Sequence, residues 1–234
     1  MPLILRLDVD KPYGNAGLVR RVMSKLSEDM WFPVVRPLYL KHLAEFIRYC
    51  NTESIPAIFY HRHSTVPTAE VIRLYEQGGH QVGFHAENTR TFETFSNELA
   101  EFKRKVGGLP LHSFTKHGSG FYKLGKNHYP PYEPGKYLQW SRQVKIPFLF
   151  GNGIASSPED LAPKEGFFPN MFWIESEYRH PEFATVAAAV SCARDQKVPV
   201  LLHPCNFQSS SQARNDFFEM VRLSRKMEVK WVTI

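Results

Sequence analysis

Five short apolar runs in this sequence end in carboxylate or imidazole groups. Residues 3–7 lead into Asp8-Val9-Asp10, 55–60 into His61-Arg62-His63, 80–84 into His85, 111–115 into Lys116-His117, and 198–202 into His203. Ten histidines scattered at random over 234 residues would not favour those places. Asp8 and Asp10 are two apart, so on an extended backbone their side chains share a face. Two carboxylates that close repel each other unless a cation or a proton lies between them. A divalent metal resolves the repulsion, with Asp10 as ligand and Asp8 left ionised as a base; the competing reading is a strand-end aspartate capping the next loop. His85 brings an imidazole to the tip of a neighbouring strand, and imidazole with carboxylate suits zinc and other first-row divalent ions. His203 is placed to protonate a leaving amine, against the reading of a packed histidine under the strand ends. His61, His63 and Lys116 are further candidate substrate contacts. Trp173 and Glu175 could form a sugar-stacking wall with a polar edge, or be an ordinary core aromatic and a surface acid. His80, at the far end of its strand, reads as structural.

The elements that must position these residues follow from the hydrophobic pattern. Strands are predicted at 3–7, 55–60, 80–84, 111–115, 146–150, 168–174, 198–202 and 230–234, each short, rich in β-branched, aromatic or leucine residues, and bounded by Gly, Pro or charge. Helices are predicted at 37–50, 68–77, 92–106, 181–195 and 209–227. The clearest is 92–106, where Phe92, Phe95, Leu99, Phe102 and Val106 fall on one face. Thr91 is placed to cap its start and Gly107-Gly108 stop it. Strand and helix in regular alternation imply a parallel sheet, either open and doubly wound or closed as a barrel. In both, chemistry gathers at the carboxyl ends of the strands. No GxGxxG follows the first strand and no GxxxxGK[ST] occurs, which removes the commonest nucleotide-binding versions. Residues 118–135 are expected to form a long loop, and no composition break divides 1–234 into more than one domain.

Bulk composition narrows the function classes. A hydrophobic share of 43% and an aromatic share of 14% support a large core and exclude a disordered chain. The net charge is +6, and no run of five or more Lys or Arg concentrates it, so nothing singles out nucleic acid as a partner. Cys50, Cys192 and Cys205 are few, odd in number and far apart, which argues against a disulfide scaffold and fits a reducing compartment. The first apolar stretch is too short for a signal-peptide core. No run approaches the roughly 18 apolar residues of a membrane span. A cytoplasmic protein is expected.

Three stretches taken together carry a resemblance. Leu7-Asp8-Val9-Asp10, then Gly78-Gly79-His80-Gln81-Val82-Gly83-Phe84-His85, then Leu201-Leu202-His203-Pro204 are similar, in order and spacing, to the motifs of the NodB-type polysaccharide deacetylases, a carbohydrate esterase family. The likeness spans roughly residues 3–207, and its most specific piece is Gly-His-x-x-Gly-x-His. It implies a distorted seven-stranded (β/α) barrel, a divalent metal (commonly zinc), and an N-acetylated amino sugar or glycan as the carbohydrate substrate, hydrolysed at its amide. It implies Asp8 as the base, Asp10 and His85 as metal ligands, and His203 as the general acid. Two positions depart from the family pattern. The second ligand histidine, usual four residues after the first, is Thr89, and the Arg-x-Pro-Tyr-Gly piece after the fourth strand is replaced by Thr115-Lys116-His117-Gly118-Ser119-Gly120. His117 is the candidate for the missing imidazole. The pattern resembles the Asp-x-Asp branch, some members of which are assigned to lipopolysaccharide O-antigen loci. The departures keep two rivals in play: a barrel that binds glycan without catalysis, and a hydrolase of small non-sugar amides.

Overall fold

A computed structural model describes residues 1–10, 36–118 and 129–234, with the backbone alone described for 36–41. Its organising element is β1 (Leu3–Val9), buried along its whole length. Parallel partners flank it on both edges, β2 (Ala57–His61) and β7 (Val198–Leu202). A strand covered on both faces needs apolar side chains on both. Leu3, Leu5, Leu7 and Val9 pack outward into the larger core, while Ile4 points into an inner core with Ile58, Tyr60, Phe150, Phe168, Met171 and Leu201. The alternation of side chains puts Arg6, Asp8 and Asp10 on the face of Ile4.

The remaining strands are β3 (Gln81–Ala86), β4 (Ser113–Lys116), β5 (Phe150–Ile154) and β6 (Phe168–Trp173), in the order β4-β3-β2-β1-β7-β6-β5. Every strand pairing is parallel. The outer strands meet across a seam: Phe114 bridges Phe148 in parallel, the Phe114 N–H donates to the Pro147 carbonyl at 2.8 Å, and Asn152 Nδ2 donates to the Lys116 carbonyl at 2.8 Å. The result is a nearly closed seven-stranded parallel barrel wrapped by helices. A short β8 (Trp231–Val232) pairs with the start of β1. Helices α1 (Arg36–Thr52), α2 (Ala69–Gly78), α3 (Phe92–Lys105), α4 (Pro134–Val144), α5 (Val186–Cys192), α6 (Pro204–Ser209) and α7 (Ser211–Lys226) complete the element order. Among the described residues, no helix is long and apolar enough to cross a membrane.

Most expected elements are present within a few residues of where the pattern puts them. The helix expected at 92–106 is α3, and Thr91 caps it through a reciprocal pair with Thr94. Three expectations are corrected. The strand expected at 146–150 lies at β5, four residues on, because the apolar 146–148 stretch serves the seam and the strand itself is Phe-Gly-Asn-Gly-Ile. Its glycines are dictated by close approach to β6: a Cβ on Gly153 would sit 1.9 Å from Asn170 Oδ1, and one on Gly151 2.4 Å from the Pro169 carbonyl. Helix α4 was not anticipated; it buries Tyr137 and Trp140 against the core beneath α3. The helix expected at 181–195 divides into a 3-10 turn, Pro181–Phe183, and α5. The predicted loop over 118–135 lies for the most part outside the described residues.

The Gly-rich motif around β3 is chiefly a packing device. Gly79 closes α2 at φ +63°, and a Cβ on Gly78 would fall 2.0 Å from Asn51 Oδ1. His80 ties that turn down, with Nε2 2.6 Å from Asn51 Oδ1 and Nδ1 accepting from the Ala57 N–H. Gly83 lies under the Tyr60 ring, where a Cβ would come within 2.3 Å of it. Gly83→Ala is therefore expected to cost about 1–3 kcal/mol by overpacking and to lower the melting temperature by roughly 3–10 °C in a chain of this size. In a Tyr60→Leu background the same change should cost less than half as much, because the ring it collides with is gone. Equal losses in the two backgrounds, read by thermal melting, would refute the packing account.

Candidate metal centre

The inner face of β1 carries the chemistry out of the barrel. Arg6 is fully buried and grips Asp8 with both arms: Nε donates to Oδ1 at 2.7 Å and Nη2 to Oδ2 at 2.6 Å. Its remaining reach crosses the barrel, Nη1 to the Gly151 carbonyl at 2.5 Å and Nη2 to Asn152 Oδ1 at 3.1 Å. The guanidinium lies 5.5 Å from the centroid of the Tyr60 ring. Burial by itself pushes the Asp8 carboxyl upward, and Asp10 adds to that push. The Arg6 charge and hydrogen bond, with His85, outweigh both and hold it below the ordinary carboxylate value.

Asp10, two residues on, faces imidazoles. His85 Nε2 is 2.9 Å and His117 Nδ1 3.0 Å from Asp10 Oδ1, with the two rings edge to face, 5.0 Å apart. All three residues are buried, and one ligand atom from each lies within 4.8 Å of the others. Burial opposes ionisation of Asp10, but attraction and hydrogen bonds from His117 and His85 hold its carboxyl well below the usual range. Behind His85, Nδ1 is 2.6 Å from Thr115 Oγ1. Such a bond leaves Nε2 free to face an ion. One carboxylate and two imidazoles form a donor set for a first-row divalent ion with positions left open. With bonds of 2.0–2.1 Å, ligand atoms around a tetrahedral zinc stand about 3.3 Å apart. The two distances from Asp10 to the imidazoles would have to open by only a few tenths of an ångström.

His203 approaches from the opposite side, its Nε2 3.7 Å from Asp10 Oδ2. Glu175, fully buried, holds it from behind: Oε1 is 2.9 Å from Nδ1, and also accepts from the His203 N–H at 2.8 Å and from Asn206 Nδ2 at 3.1 Å. Burial works against the imidazolium, but Glu175, with Asp10 and Asp8, more than offsets it and raises His203 to about 9.

No family model and no curated protein matches this sequence. Solved structures do. A protein of Parabacteroides distasonis assigned as a glycoside hydrolase/deacetylase superposes with a TM-score of 0.51 at 10% identity, over 99% of this chain and 69% of that one. The chain has the NodB-like deacetylase fold. Scores are lower for the catalytic domain of a peptidoglycan N-acetylglucosamine deacetylase from Eubacterium rectale (0.49, 12% identity, 99% of this chain, 87% of that) and for a family 4 acetyl xylan esterase from Clostridium thermocellum in complex with a cobalt ion (0.47, 13%, 100% and 88%). Identities this low speak for the fold alone.

Several residues expected as substrate contacts are engaged within the protein. His61 is not open to substrate: it is buried on the outer face of β2, with Nδ1 2.6 Å from the Thr65 carbonyl and Nε2 2.7 Å from the Tyr75 hydroxyl. Lys116 is also buried, its Nζ donating to the His117 and Gly118 carbonyls at 2.7 and 2.8 Å. His63 belongs to an ion network, 2.9 Å from Glu87 Oε2 and 3.5 Å from Glu98 Oε1. Arg62 extends this network, pairing with Glu87 and donating to the Asp10 carbonyl at 2.8 Å, so it braces the strand end that carries Asp10. Glu175 is no surface acid but the partner of His203. Trp173 stands beside His203, ring centroids 5.7 Å apart. Thr89, where the family usually has its second histidine, is buried 3.5 Å from the Tyr137 hydroxyl. Sequence reasoning missed Arg6, Thr115 and Arg62. The signal for Arg6 was its place two residues before Asp8, on the same face of an otherwise apolar strand.

The buried histidines set a pH optimum for stability. Burial lowers both His61 and His80 to about 4, so each is neutral in the fold and takes up a proton on unfolding below pH 6.5. That costs roughly 2 kcal/mol each by pH 5. Burial also disfavours charge on His63, yet Glu87 and Glu98 raise it to about 9; its contribution is complete below pH 6.5 and fades as pH rises through 9. Denaturant melts should therefore show greatest stability near pH 6.5, with His63→Gln flattening the alkaline side. A protein equally stable at pH 5 and 6.5 would contradict these assignments.

Proposed function

We propose that this protein is a metal-dependent carbohydrate deacetylase that hydrolyses the N-acetyl amide of an amino sugar, in polysaccharide or lipopolysaccharide O-antigen biosynthesis. The observation that carries the reading is convergence. The arginine-clamped Asp8 and the glutamate-backed His203 both border the Asp10–His85–His117 group, at 3.5 Å (Asp8 Oδ2 to His85 Nε2) and 3.7 Å (His203 Nε2 to Asp10 Oδ2). A base and an acid on either side of one electrophilic centre is what amide hydrolysis requires. The three free cysteines suit a reducing, cytoplasmic setting. Residues 1–234 are taken as one catalytic unit.

Asp10, His85 and His117 would hold a divalent ion, taken as zinc, which polarises the acyl carbonyl and acidifies water. Asp8 receives the proton of the attacking water. Arg6 fixes both its oxygens and keeps it ionised, so it is aimed before substrate arrives. His203 keeps its Nδ1 proton against Glu175 and delivers the Nε2 proton to the departing amine. Water adds to the acyl carbon, the C–N bond breaks, and acetate and the free amino sugar leave.

Metal content per chain and acetate release from a panel of N-acetylated sugars test this together. Wild type should carry about one divalent ion; Asp10→Ala should lose ion and activity. Asp8→Asn should keep the ion while turnover falls roughly 10²–10⁴-fold. Full activity in Asp8→Asn would refute the base assignment. No ion in wild type even after zinc resupply would favour a glycan-binding barrel without catalysis, the reading that Thr89 at the usual histidine position supports.

A further inference from the structure

Large apolar side chains are exposed at few places among the described residues, and two of these lie at the carboxyl end of the barrel: Ile154, which ends β5, and Tyr178, just beyond β6. Tyr178 is 46% exposed, yet its ring is not isolated. It lies 5.2 Å from the Trp173 ring, and Trp173 in turn lies 5.7 Å from the His203 ring. The three rings step outward from the half-buried His203 to solvent. Trp173 Nε1 is already engaged with the Gly153 carbonyl at 3.2 Å, so the indole offers a ring and no spare donor.

The support beneath these rings is unusually firm for a surface turn. Arg179 follows Tyr178 directly, and its side chain is only 6% exposed. Its Nε donates to the Trp173 carbonyl at 2.7 Å, Nη1 to the Ala184 carbonyl at 3.0 Å, and Nη2 to the Ile174 carbonyl and to Asp216 Oδ2, the latter at 2.5 Å. Its guanidinium lies 4.9 Å from the centroid of Phe172. An arginine whose side chain is largely covered thus fixes the backbone on both sides of an exposed tyrosine. Rings held in advance lose little freedom when a ligand covers them.

We propose that Trp173 and Tyr178 form a stacking subsite for a pyranose ring of the glycan, on the leaving-amine side of the cleaved bond. This deepens the deacetylase reading and rests on it. The general acid must reach the nitrogen that departs, and that nitrogen is bonded to the sugar ring, so the ring lies on the His203 side. The surface there is aromatic. A pyranose presents a face of C–H bonds, which suits the negative face of an aromatic ring.

The test is the affinity, by calorimetry, of wild type, Tyr178→Ala and Tyr178→Phe for tetramers of N-acetylglucosamine, N-acetylgalactosamine and N-acetylmannosamine, with acetate release followed in parallel. Wild type should bind at least one tetramer. Tyr178→Ala should weaken that binding about tenfold, and Tyr178→Phe should stay within twofold of wild type, since the ring and not the hydroxyl makes the contact. Unchanged affinity in Tyr178→Ala overturns the proposal, as does a Tyr178→Phe loss equal to that of Tyr178→Ala. Wild type that releases acetate from small amides but binds no tetramer overturns the subsite and leaves the hydrolase standing. Tetramer binding that depends on Tyr178 without acetate release does the reverse.

Discussion

The buried pair between Arg6 and Asp8 is the constraint on which the rest of the site depends. A lone carboxylate inside the barrel would be protonated, and a lone guanidinium there would be strongly destabilising. Together, with both carboxylate oxygens occupied, they are tolerated. The pair also organises the barrel. Arg6 reaches Asn152 Oδ1 on β5, and Asn152 Nδ2 holds the Lys116 carbonyl at the end of β4. The next residue is His117. One arginine on the central strand thus links the base to the seam where the sheet closes, and the seam to the imidazole facing Asp10. The same guanidinium that keeps Asp8 charged helps to place His117, 111 positions further along the chain.

Parity along the strands explains which strand-end residues joined the site. The inner face of β1 carries Ile4, Arg6 and Asp8; that of β2 carries Ile58 and Tyr60; that of β6 carries Met171 and Trp173. Continuing each alternation beyond the strand gives Asp10, Arg62 and Glu175. On β3 the inner residues are Gly83 and His85, and on β4 Ser113 and Thr115, with His117 following. His61 and Lys116 have the opposite parity. His61 accordingly meets Tyr75 of α2, and Lys116 folds back on the chain that follows it.

This divides what the sequence made legible from what it did not. That strand ends collect aspartate and histidine is visible from apolar runs alone, and so are most strands and the helix at 92–106. Which of two adjacent polar residues faces inward is decided by register. A predicted strand whose ends are uncertain by one or two residues does not fix register. Hence His61 and Lys116 were expected as contacts, while Arg62, between His61 and His63, drew no attention. Strand β5 was misplaced for a different reason. Its glycines are required by β6, a partner far along the chain, and glycine-rich sequence does not read as strand. Arg6 was hidden by its own neighbourhood: a charge in an apolar run reads as an interruption until the barrel closes around it.

Charge balance within the cluster bears on the proposed cation. Asp8 faces the permanent cation Arg6, and Glu87 faces Arg62. Glu175 faces His203, the imidazole it keeps protonated. Asp10 is ionised too; one of its oxygens meets the imidazoles of His85 and His117, and the other lies 3.7 Å from the His203 ring that is already paired with Glu175. Neutral imidazole is a metal ligand and protonated imidazole is not. A divalent ion held by Asp10, His85 and His117, as proposed above, would supply for Asp10 the charge that Arg6 supplies for Asp8. The same reasoning accounts for Thr89. The barrel brings a second imidazole, that of His117, to Asp10 directly after β4, while the usual motif position holds Thr89. What the departure changes is the element that carries the imidazole: His117 sits directly after β4, within the reach of the Arg6–Asn152–Lys116 chain, so Asp8 and His117 are tied to one network.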